Sequence, residues 1–344
     1  MMHYSQKVNR RRFLKWNVAA LAGAVFTTGA IARGSARDRA AGAVSNSPRT
    51  SPGFYRFSAG ELEITVFNDG FFDLSTIVPP DMEPLETLAV DVEEERREEY
   101  FRARLLEADD PRLLISPVLI DSGDRRVLVD TGWAMGEATP AAGRLGAALE
   151  LVGVSPESID LVVLTHAHPD HLGGLVDPDT GAPKFPNAEI VLSETEFEFW
   201  TGDAAAPALE HPLLAGIPDI LNDLYDRLRL IRAGDEVAAG IESISTPGHT
   251  PGHLCISLDA GDAELLLTGD ALVNIHTSFE RPDWQNFFDM NGALAARSRR
   301  SLLDRAAADS MLIVGYHFPF PGIGYALRDG NAYRWNPAGT TLLS

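Results

Sequence analysis

A short segment in the middle of this chain concentrates the residue types that bind metal ions. Three histidines and one aspartate fall within six residues of the run Thr165-His166-Ala167-His168-Pro169-Asp170-His171. Clustered imidazoles with a carboxylate are the ligands that zinc and similar divalent metals prefer. The run follows the apolar residues 161–164, which are typical of a buried strand, and a loop that leaves a rigid strand holds its side chains at fixed positions. The segment therefore predicts a metal site directly after a central strand.

Apolar periodicity along the rest of the chain predicts many short strands with helices between them. The strand candidates are residues 62–66, 117–120, 127–129, 161–164, 190–192, 241–244, 254–258, 265–267 and 312–314. The helix candidates are residues 91–104, 140–152, 193–200, 218–229 and 291–308, with a further helical start at Ser155-Pro156. This order predicts an α/β protein in which two packed mixed sheets are flanked by helices, an αββα sandwich. The pattern alone leaves other α/β layouts open.

The first 32 residues form a different kind of sequence. Three arginines, Arg10 to Arg12, precede an apolar run over 18–26 and then the small residues around Ala30-Ile31-Ala32. This order is typical of an export signal, and the apolar run is shorter than the roughly 20 residues of a permanent membrane span. We expect a signal peptide over 1–32, a flexible segment rich in Gly, Ser, Ala and Pro over 33–53, and one globular domain over 54–344.

The basic start of the chain also predicts where the protein works. Its run Asn9-Arg10-Arg11-Arg12-Phe13-Leu14-Lys15 resembles the twin-arginine export signal, which implies a periplasmic or secreted protein without a stable membrane anchor. Loss of residues 1–32 would remove five basic residues and no acidic one, which lowers the formal net charge from −20 to −25. Such acidity excludes nucleic acid as a partner, because phosphate binding depends on clustered Lys and Arg.

The metal-binding run is identified as the HxHxDH signature of the metallo-β-lactamase superfamily, whose later elements follow in order. Thr246-Pro247-Gly248-His249 resembles the start of the family's second ligand loop, Thr268-Gly269-Asp270 its bridging aspartate, and His317 its last histidine. Asp130-Thr131-Gly132 resembles the structural motif that precedes the signature. The resemblance implies the metallo-β-lactamase fold for residues 54–344.

Within that superfamily the chain is most similar to the methyl parathion hydrolase branch, which includes lactonases and organophosphate triesterases. The likeness runs from Phe54-Tyr55-Arg56, through Phe185-Pro186-Asn187-Ala188, to Tyr333-Arg334-Trp335. It implies a hydrolase that cleaves lactones or other apolar esters, organophosphate triesters among them. A small-molecule ester or lactone is therefore the expected partner, and a homodimer is a further expectation.

The same resemblance implies a binuclear site with two divalent metal ions, Zn²⁺ first and Mn²⁺, Co²⁺ or Fe²⁺ as alternatives. It assigns one ion to His166, His168 and His249. It assigns the other to Asp170, His171 and His317, with Asp270 as the bridge. A hydroxide held between the ions would attack the ester, and Asp170 would also move a proton to the leaving group.

Other residues are given a place around this site. Trp200, His276 and Trp284 are predicted to contact substrate, because an apolar wall suits an ester with an apolar substituent. His253 is expected to pack beside the ligands rather than to bind metal. Cys255 is the only cysteine and lies in an apolar run, so we expect a small buried side chain without catalytic function.

Two alternative functions stay open at this point. A β-lactamase would share the export route and most of the metal ligands, and Asp270 is the discriminating residue because many zinc β-lactamases lack a bridging carboxylate there. A non-catalytic metal-binding protein is the second alternative. A complete ligand set that leaves coordination positions open has little structural purpose, which favours an enzyme.

Overall fold

A computed structural model of the protein describes residues 53–79, 82–106, 112–133, 141–261 and 263–339. The expected signal peptide over 1–32 and, except for Gly53, the expected flexible segment over 33–53 lie outside these described residues. None of the helices in the described part of the chain combines the length and apolar character needed to cross a bilayer.

Sixteen strands in the described residues form two seven-stranded sheets and one two-stranded pair. They are β1 (Phe54–Ala59), β2 (Leu62–Phe67), β3 (Gly70–Asp73), β4 (Arg112–Ile115), β5 (Val118–Asp121), β6 (Arg126–Val129), β7 (Leu161–Val163), β8 (Glu189–Ser193), β9 (Leu228–Ile231), β10 (Glu236–Ala238), β11 (Ile241–Ser245), β12 (Leu254–Asp259), β13 (Glu264–Leu267), β14 (Leu312–Val314), β15 (Ile323–Asp329) and β16 (Ala332–Pro337). The first sheet has the order β1-β2-β5-β6-β7-β8-β9, and the second has the order β10-β11-β12-β13-β14-β15-β16. Both are mixed, with parallel pairing from β6 to β9 and between β13 and β14.

The α-helices of the described chain connect these strands. They are α1 (Glu94–Ala103), α2 (Leu145–Leu151), α3 (Pro169–Leu172), α4 (Glu194–Thr201), α5 (Ile217–Asp223), α6 (Thr277–Glu280) and α7 (Gly292–Ala308). The charged segment predicted as a helix over 91–104 is α1, and its exposed face carries most of the acidic and basic side chains.

The main hydrophobic core lies between the two large sheets. Val127 and Val129 of β6 contribute to this core, whereas Leu128 between them belongs to the cluster on the opposite face. Alternate residues of a strand point to opposite faces, so both faces of β6 are covered. Ile256 and Leu267 contribute the second sheet's share of the central core.

Helices cover the outer faces of both sheets. Leu149 of α2 and Leu221 of α5 pack in the cluster outside the first sheet. Leu302 and Leu303 of α7 pack outside the second sheet. The layers therefore run helix, sheet, sheet, helix, which confirms the predicted αββα sandwich.

Two secondary-structure predictions need correction, and one hairpin was not predicted. The helix predicted over 218–229 is wrong beyond Asp223, because Leu228–Ile231 forms strand β9 and pairs in parallel with β8. Leu228 and Leu230 alternate onto the apolar cluster there, a period that fits a strand better than a helix. The helical start at Ser155 gives only the single turn Pro156–Ser158, and the hairpin of β15 and β16 was not predicted.

Candidate metal centre

The seven predicted ligands lie on loops and short turns that leave strands of both large sheets. His166, His168, Asp170 and His171 follow β7 of the first sheet, the last two within α3. His249 lies between β11 and β12 of the second sheet, Asp270 lies in the turn Gly269–Ala271 after β13, and His317 follows β14. The fold thus brings ligands from two separate sheets to one place.

The ligand atoms form two neighbouring groups. Within each group, the ligand atoms all lie within 4.8 Å of one another. The first group contains His166, His168, His249 and Asp270, and the second contains Asp170, His171 and His317. These are the two sets that the family resemblance implied. The arrangement fits a two-metal site, and its imidazole and carboxylate donors suit zinc.

Asp270 lies between the two groups and offers one oxygen to each. Its Oδ2 lies 3.1 Å from His249 Nε2 and 4.0 Å from His166 Nε2. Its Oδ1 lies 3.1 Å from His171 Nε2 and 3.0 Å from His317 Nε2. A carboxylate in this position is suited to bridge two cations.

Several of these ligand atoms are buried without a well-formed hydrogen bond. Within the described part of the chain, His166 Nε2, His171 Nε2, His317 Nε2 and Asp270 Oδ1 make no hydrogen bond of good geometry, although Oδ1 lies 3.1 Å from His171 Nε2 and 3.0 Å from His317 Nε2. A buried polar atom without a partner costs about 1–3 kcal/mol, so four that converge on one point need a common explanation. Two divalent cations would satisfy all four, and the residues present therefore fit the expected metals.

Carboxylates that contact Nδ1 orient two of the histidine rings. Asp130 Oδ2 lies 2.8 Å from His171 Nδ1, and Asp289 Oδ1 lies 3.1 Å from His249 Nδ1. A carboxylate that accepts the Nδ1 proton fixes the tautomer, turns Nε2 towards the metal position and raises its basicity. Asp130 has a left-handed φ of 58°, an unusual backbone conformation of the kind that often accompanies functional sites.

Neutral oxygen atoms orient two further histidines. Thr165 Oγ1 lies 3.1 Å from His166 Nδ1, and the carbonyl oxygen of Leu114 accepts the Nδ1 proton of His317. His168 is turned the other way, because its Nδ1 lies 2.9 Å from His249 Nε2 at the centre of the first group. Each ring therefore presents one defined nitrogen to the metal position.

Burial and charge set the protonation of the cluster. Burial lowers the pKa of His166 and His168 well below its usual value, so both rings are neutral, the form that binds metal. Burial raises the pKa of Asp270, but the surrounding histidines outweigh this effect and hold it well below the usual range. Asp270 is therefore a carboxylate.

Glu196 of α4 joins the two ligand loops from beneath. Its Oε1 accepts the N–H of Ala167, which lies between His166 and His168, at 3.0 Å. Its Oε2 accepts the Thr250 hydroxyl at 2.7 Å and the Gly252 N–H at 2.9 Å, both in the loop of His249. Gly252 is needed there, because a Cβ would lie 2.3 Å from the Glu196 backbone nitrogen.

An apolar cavity of about 320 Å³ opens onto the cluster. Its wall contains large apolar side chains, namely Phe72, Leu74, Ile77, Leu88, Leu113, Trp133, Leu213, Leu214, Val273, Phe287, Phe288 and Met290. His168, Asp170, His249 and Asp270 lie at the inner end. Among the described residues that line it, none is a lysine or an arginine.

The structure does not bring the predicted substrate contacts Trp200, His276 and Trp284 to the cavity, since none of the three is among the described residues that line it. Trp200 is fully buried and donates its indole N–H to Glu196, behind the ligand loops. Trp284 is buried against Tyr100 of α1, with the two rings 4.7 Å apart. The His276 ring lies beside Glu280, with Nδ1 3.6 Å from Oε1.

Two other predictions agree with the structure, and several residues of the cavity wall were not predicted. His253 packs beside the ligands, and its Nε2 accepts the N–H of Asp270 at 3.0 Å. Burial lowers its pKa to about 3, so the ring is neutral, as this acceptor role requires. Cys255 is a small buried side chain, as expected. His211, which has no clustered partner in the sequence, lies in the cavity wall.

Comparison with known proteins places the chain among metal-dependent hydrolases. The family model described as the metallo-beta-lactamase superfamily matches residues 110–317. An uncharacterised protein of Bacillus subtilis (strain 168), YobT, is 34% identical over 164 residues, which cover 45% of this chain and 66% of that protein. An N-acyl homoserine lactonase of a Bacillus species is 26% identical over 213 residues, 58% of this chain and 76% of that enzyme.

Solved structures give a wider match. AidC, described as a dizinc quorum-quenching lactonase in complex with an acyl-homoserine product, superimposes with a TM-score of 0.75 and 26% identity. The match covers 83% of this chain and 98% of AidC. The hydrolase AbOPH also gives a TM-score of 0.75 and 26% identity, over 85% of this chain and 99% of its own.

Proposed function

The chain belongs to the metallo-β-lactamase superfamily, and on that premise we propose that it is a binuclear metal-dependent hydrolase of lactones and other uncharged apolar esters. The observation that carries this proposal is the position of Asp270 between two groups of ligand atoms, several of which are buried without a well-formed hydrogen bond. The similarity to a dizinc lactonase and to an N-acyl homoserine lactonase supports the substrate class. We also propose that the protein belongs to the methyl parathion hydrolase branch of this superfamily.

In this proposal the metal ligands and the cavity wall have different roles. His166, His168 and His249 would hold one metal ion, Asp170, His171 and His317 the other, and Asp270 would bridge them. When bound, two such cations polarise an ester carbonyl and lower the pKa of water enough to supply a nucleophile near neutral pH. The apolar wall would orient the substrate and exclude bulk water from the inner end of the cavity.

Asp170 is the residue we assign to proton transfer. It lines the cavity, and its Oδ2 lies 3.6 Å from His171 Nε2 and 3.7 Å from His317 Nε2. Its backbone carbonyl accepts the hydroxyl proton of Tyr316 at 2.6 Å, which holds the residue in position. From there its carboxylate could accept the proton that the attacking water loses and then, as the carboxylic acid, donate it to the oxygen that leaves when the ester bond breaks.

The cavity argues for an uncharged substrate. A bound carboxylate, such as that of a β-lactam, usually pairs with a lysine or an arginine, and neither occurs among the described lining residues. The acidic chain, with a formal net charge of −20, also disfavours the approach of an anion. An acyl-homoserine lactone or an aryl lactone suits the apolar wall, and a phosphotriester can place its phosphoryl oxygen where the carbonyl oxygen lies.

A substrate panel tests this order. On one zinc-loaded preparation we expect kcat/KM to be highest for acyl-homoserine or aryl lactones, lower for phosphotriesters and lowest for β-lactams. The expected margin of lactone over β-lactam is at least about tenfold, or about 1.4 kcal/mol of transition-state discrimination. A β-lactam preferred tenfold over every lactone would instead make the protein a β-lactamase.

We also propose that the protein is exported to the periplasm, on the evidence of Arg10, Arg11 and the apolar run over 18–26. Replacement of Arg10 and Arg11 by lysine is expected to keep most of the protein in the cytoplasm, since paired arginines rather than positive charge resemble the recognised signal. Fractionation followed by immunoblotting measures this. Lys15→Arg, which leaves the pair intact, is the matched control. An unchanged periplasmic yield of the double variant would falsify the proposal.

A further inference from the structure

Asp289 joins a metal ligand to the wall of the cavity. The side chain is 1% exposed, and both of its oxygens are in use. Oδ1 lies 3.1 Å from Nδ1 of His249. Oδ2 accepts from Nη2 of Arg299 and from the backbone N–H of Asn286, both at 3.3 Å. One carboxylate therefore contacts a metal ligand, a buried cation and the segment that lines the cavity.

Arg299 of α7 is the buried cation, with a side chain only 2% exposed. Its Nε donates to the carbonyl of Ala271, the residue after the bridging Asp270, at 3.1 Å. Its Nη1 donates to the carbonyls of Pro282 at 3.0 Å and Trp284 at 2.7 Å. The planar guanidinium thus ties the turn of Asp270, the segment that leads to the cavity wall, and Asp289 to one helix.

The cavity wall itself is bonded to the loop of His249. The N–H of Met290 donates to the carbonyl of His249 at 3.0 Å, and the N–H of Asn291 donates to the carbonyl of Gly248 at 2.8 Å. Four residues of this wall segment, 286–288 and 290, line the cavity together with Asp289. A shift of the His249 loop would therefore move the surface that contacts substrate.

Stability alone does not account for a fully buried Arg–Asp pair. Removing two charges from water is unfavourable, and well-packed apolar residues often stabilise a fold equally well or better. A carboxylate that must hold an imidazole, and a cation that must hold that carboxylate, do account for it. Asp130, which holds His171 in the other group, accepts the backbone N–H and the hydroxyl of Thr165, and no arginine contacts it among the described residues. The buried arginine is therefore a feature of the group that contains His249.

We infer that Asp289, held by Arg299, is a positioning residue that couples the metal site containing His249 to the substrate wall over 286–290. The inference rests on the proposed two-metal site. Loss of the carboxylate should loosen one ion and displace the wall, and therefore change both metal affinity and KM. A residue that merely supports the fold would change neither in the folded enzyme.

The test is Asp289→Asn in the full chain, which keeps the size of the side chain and removes its charge. The matched control is Asp283→Asn. Asp283 pairs with Arg300, the helix neighbour of Arg299, but this pair lies on the surface with side chains 71% and 37% exposed. Competition with a chromophoric chelator measures the Zn²⁺ affinity of both variants, and kinetics at saturating Zn²⁺ separate KM from kcat.

In Asp289→Asn we expect the Kd of the more weakly bound Zn²⁺ to rise about 10–100-fold, while the other ion stays tightly bound. The KM for a lactone should rise even at saturating Zn²⁺, and Asp283→Asn should match the unmodified protein within about twofold. Wild-type affinity for both ions in Asp289→Asn, or the same loss in Asp283→Asn, would overturn the inference.

A second variant and a substrate-free measurement accompany this test. If Asp289→Asn does not fold, as judged by circular dichroism, Arg299→Lys is tested instead. Lysine keeps the buried positive charge but lacks the planar guanidinium that makes several hydrogen bonds at once. This variant should weaken the same ion by about tenfold, and unchanged affinity would overturn the inference. Zinc affinity is measured without any substrate, so a protein that binds two ions but hydrolyses no lactone would contradict the proposed function and leave this test valid.

Discussion

Removal of divalent metal with a chelator is expected to abolish hydrolysis, and addition of Zn²⁺, Mn²⁺ or Co²⁺ is expected to restore it. The described cavity wall holds no lysine or arginine to stabilise a developing oxyanion, and its carboxylates carry the wrong charge for that purpose. Two cations at the inner end would supply this stabilisation and the nucleophile together. We therefore expect the rate to fall by at least about a thousandfold, or about 4 kcal/mol.

The measurement is lactone turnover after dialysis against chelator, with residual metal determined by mass spectrometry. Far-ultraviolet circular dichroism of the same sample controls for unfolding. Restoration that saturates near two equivalents of metal would agree with the two groups of ligands. Full activity in protein verified to be metal-free would contradict the mechanism.

Replacement of Asp270 by alanine is the second change with a large expected effect. It removes the carboxylate that faces both ligand groups and leaves two cations to repel each other across a buried space. We expect the bound metal to fall from two ions to one or fewer, and kcat/KM to fall by about a thousandfold or more. Metal analysis and kinetics on the same preparation measure both quantities.

Asp309→Ala is the control for this variant. Asp309 follows the last residue of α7 and its side chain is 52% exposed, so its loss removes a carboxylate without touching the cluster. We expect two ions and unchanged kinetics in this protein. Two tightly bound ions in Asp270→Ala would show that Asp270 does not bridge them.

The part of the site that the sequence made predictable is its local part. His166, His168, Asp170 and His171 fall in one loop after the apolar strand β7, so a single segment carries both the ligands and the reason for their fixed positions. His249, Asp270 and His317 follow strands of the other sheet, and only the family resemblance linked them to the same site. The layered architecture was predictable because the apolar runs are short and numerous.

Two of the groups that hold the ligands, Asp289 and Glu196, were not predictable, because they lie far from the ligands in the sequence. Asp289 is 40 residues from the histidine that it contacts. Glu196 differs from its neighbours Glu194 and Glu198 only in being fully buried. A helical spacing of four between Glu196 and Trp200 was the one available signal, because it places both on the same face of α4.

The two tryptophans predicted to contact substrate lie outside the cavity lining for a related physical reason. A tryptophan has a large apolar surface and a polar N–H, so it suits the wall of a cavity and the interior of a fold equally well. Trp200 finds its hydrogen-bond acceptor in Glu196, and Trp284 finds an aromatic partner in Tyr100. Both choices depend on the packing of distant segments, which periodicity does not reveal.

The supply of ligands from both sheets has a consequence for how the protein comes apart. An ion held by His171 and His317, or by His168 and His249, cross-links the two halves of the sandwich, because one ligand follows a strand of the first sheet and the other follows a strand of the second. Separating the halves then requires release of the ions. At a free metal concentration a thousand times the Kd, each site adds about 4 kcal/mol to the free energy of unfolding. The loaded sandwich therefore resists unfolding as one body, whereas the metal-free protein is held together by its apolar core and by hydrogen bonds between its loops.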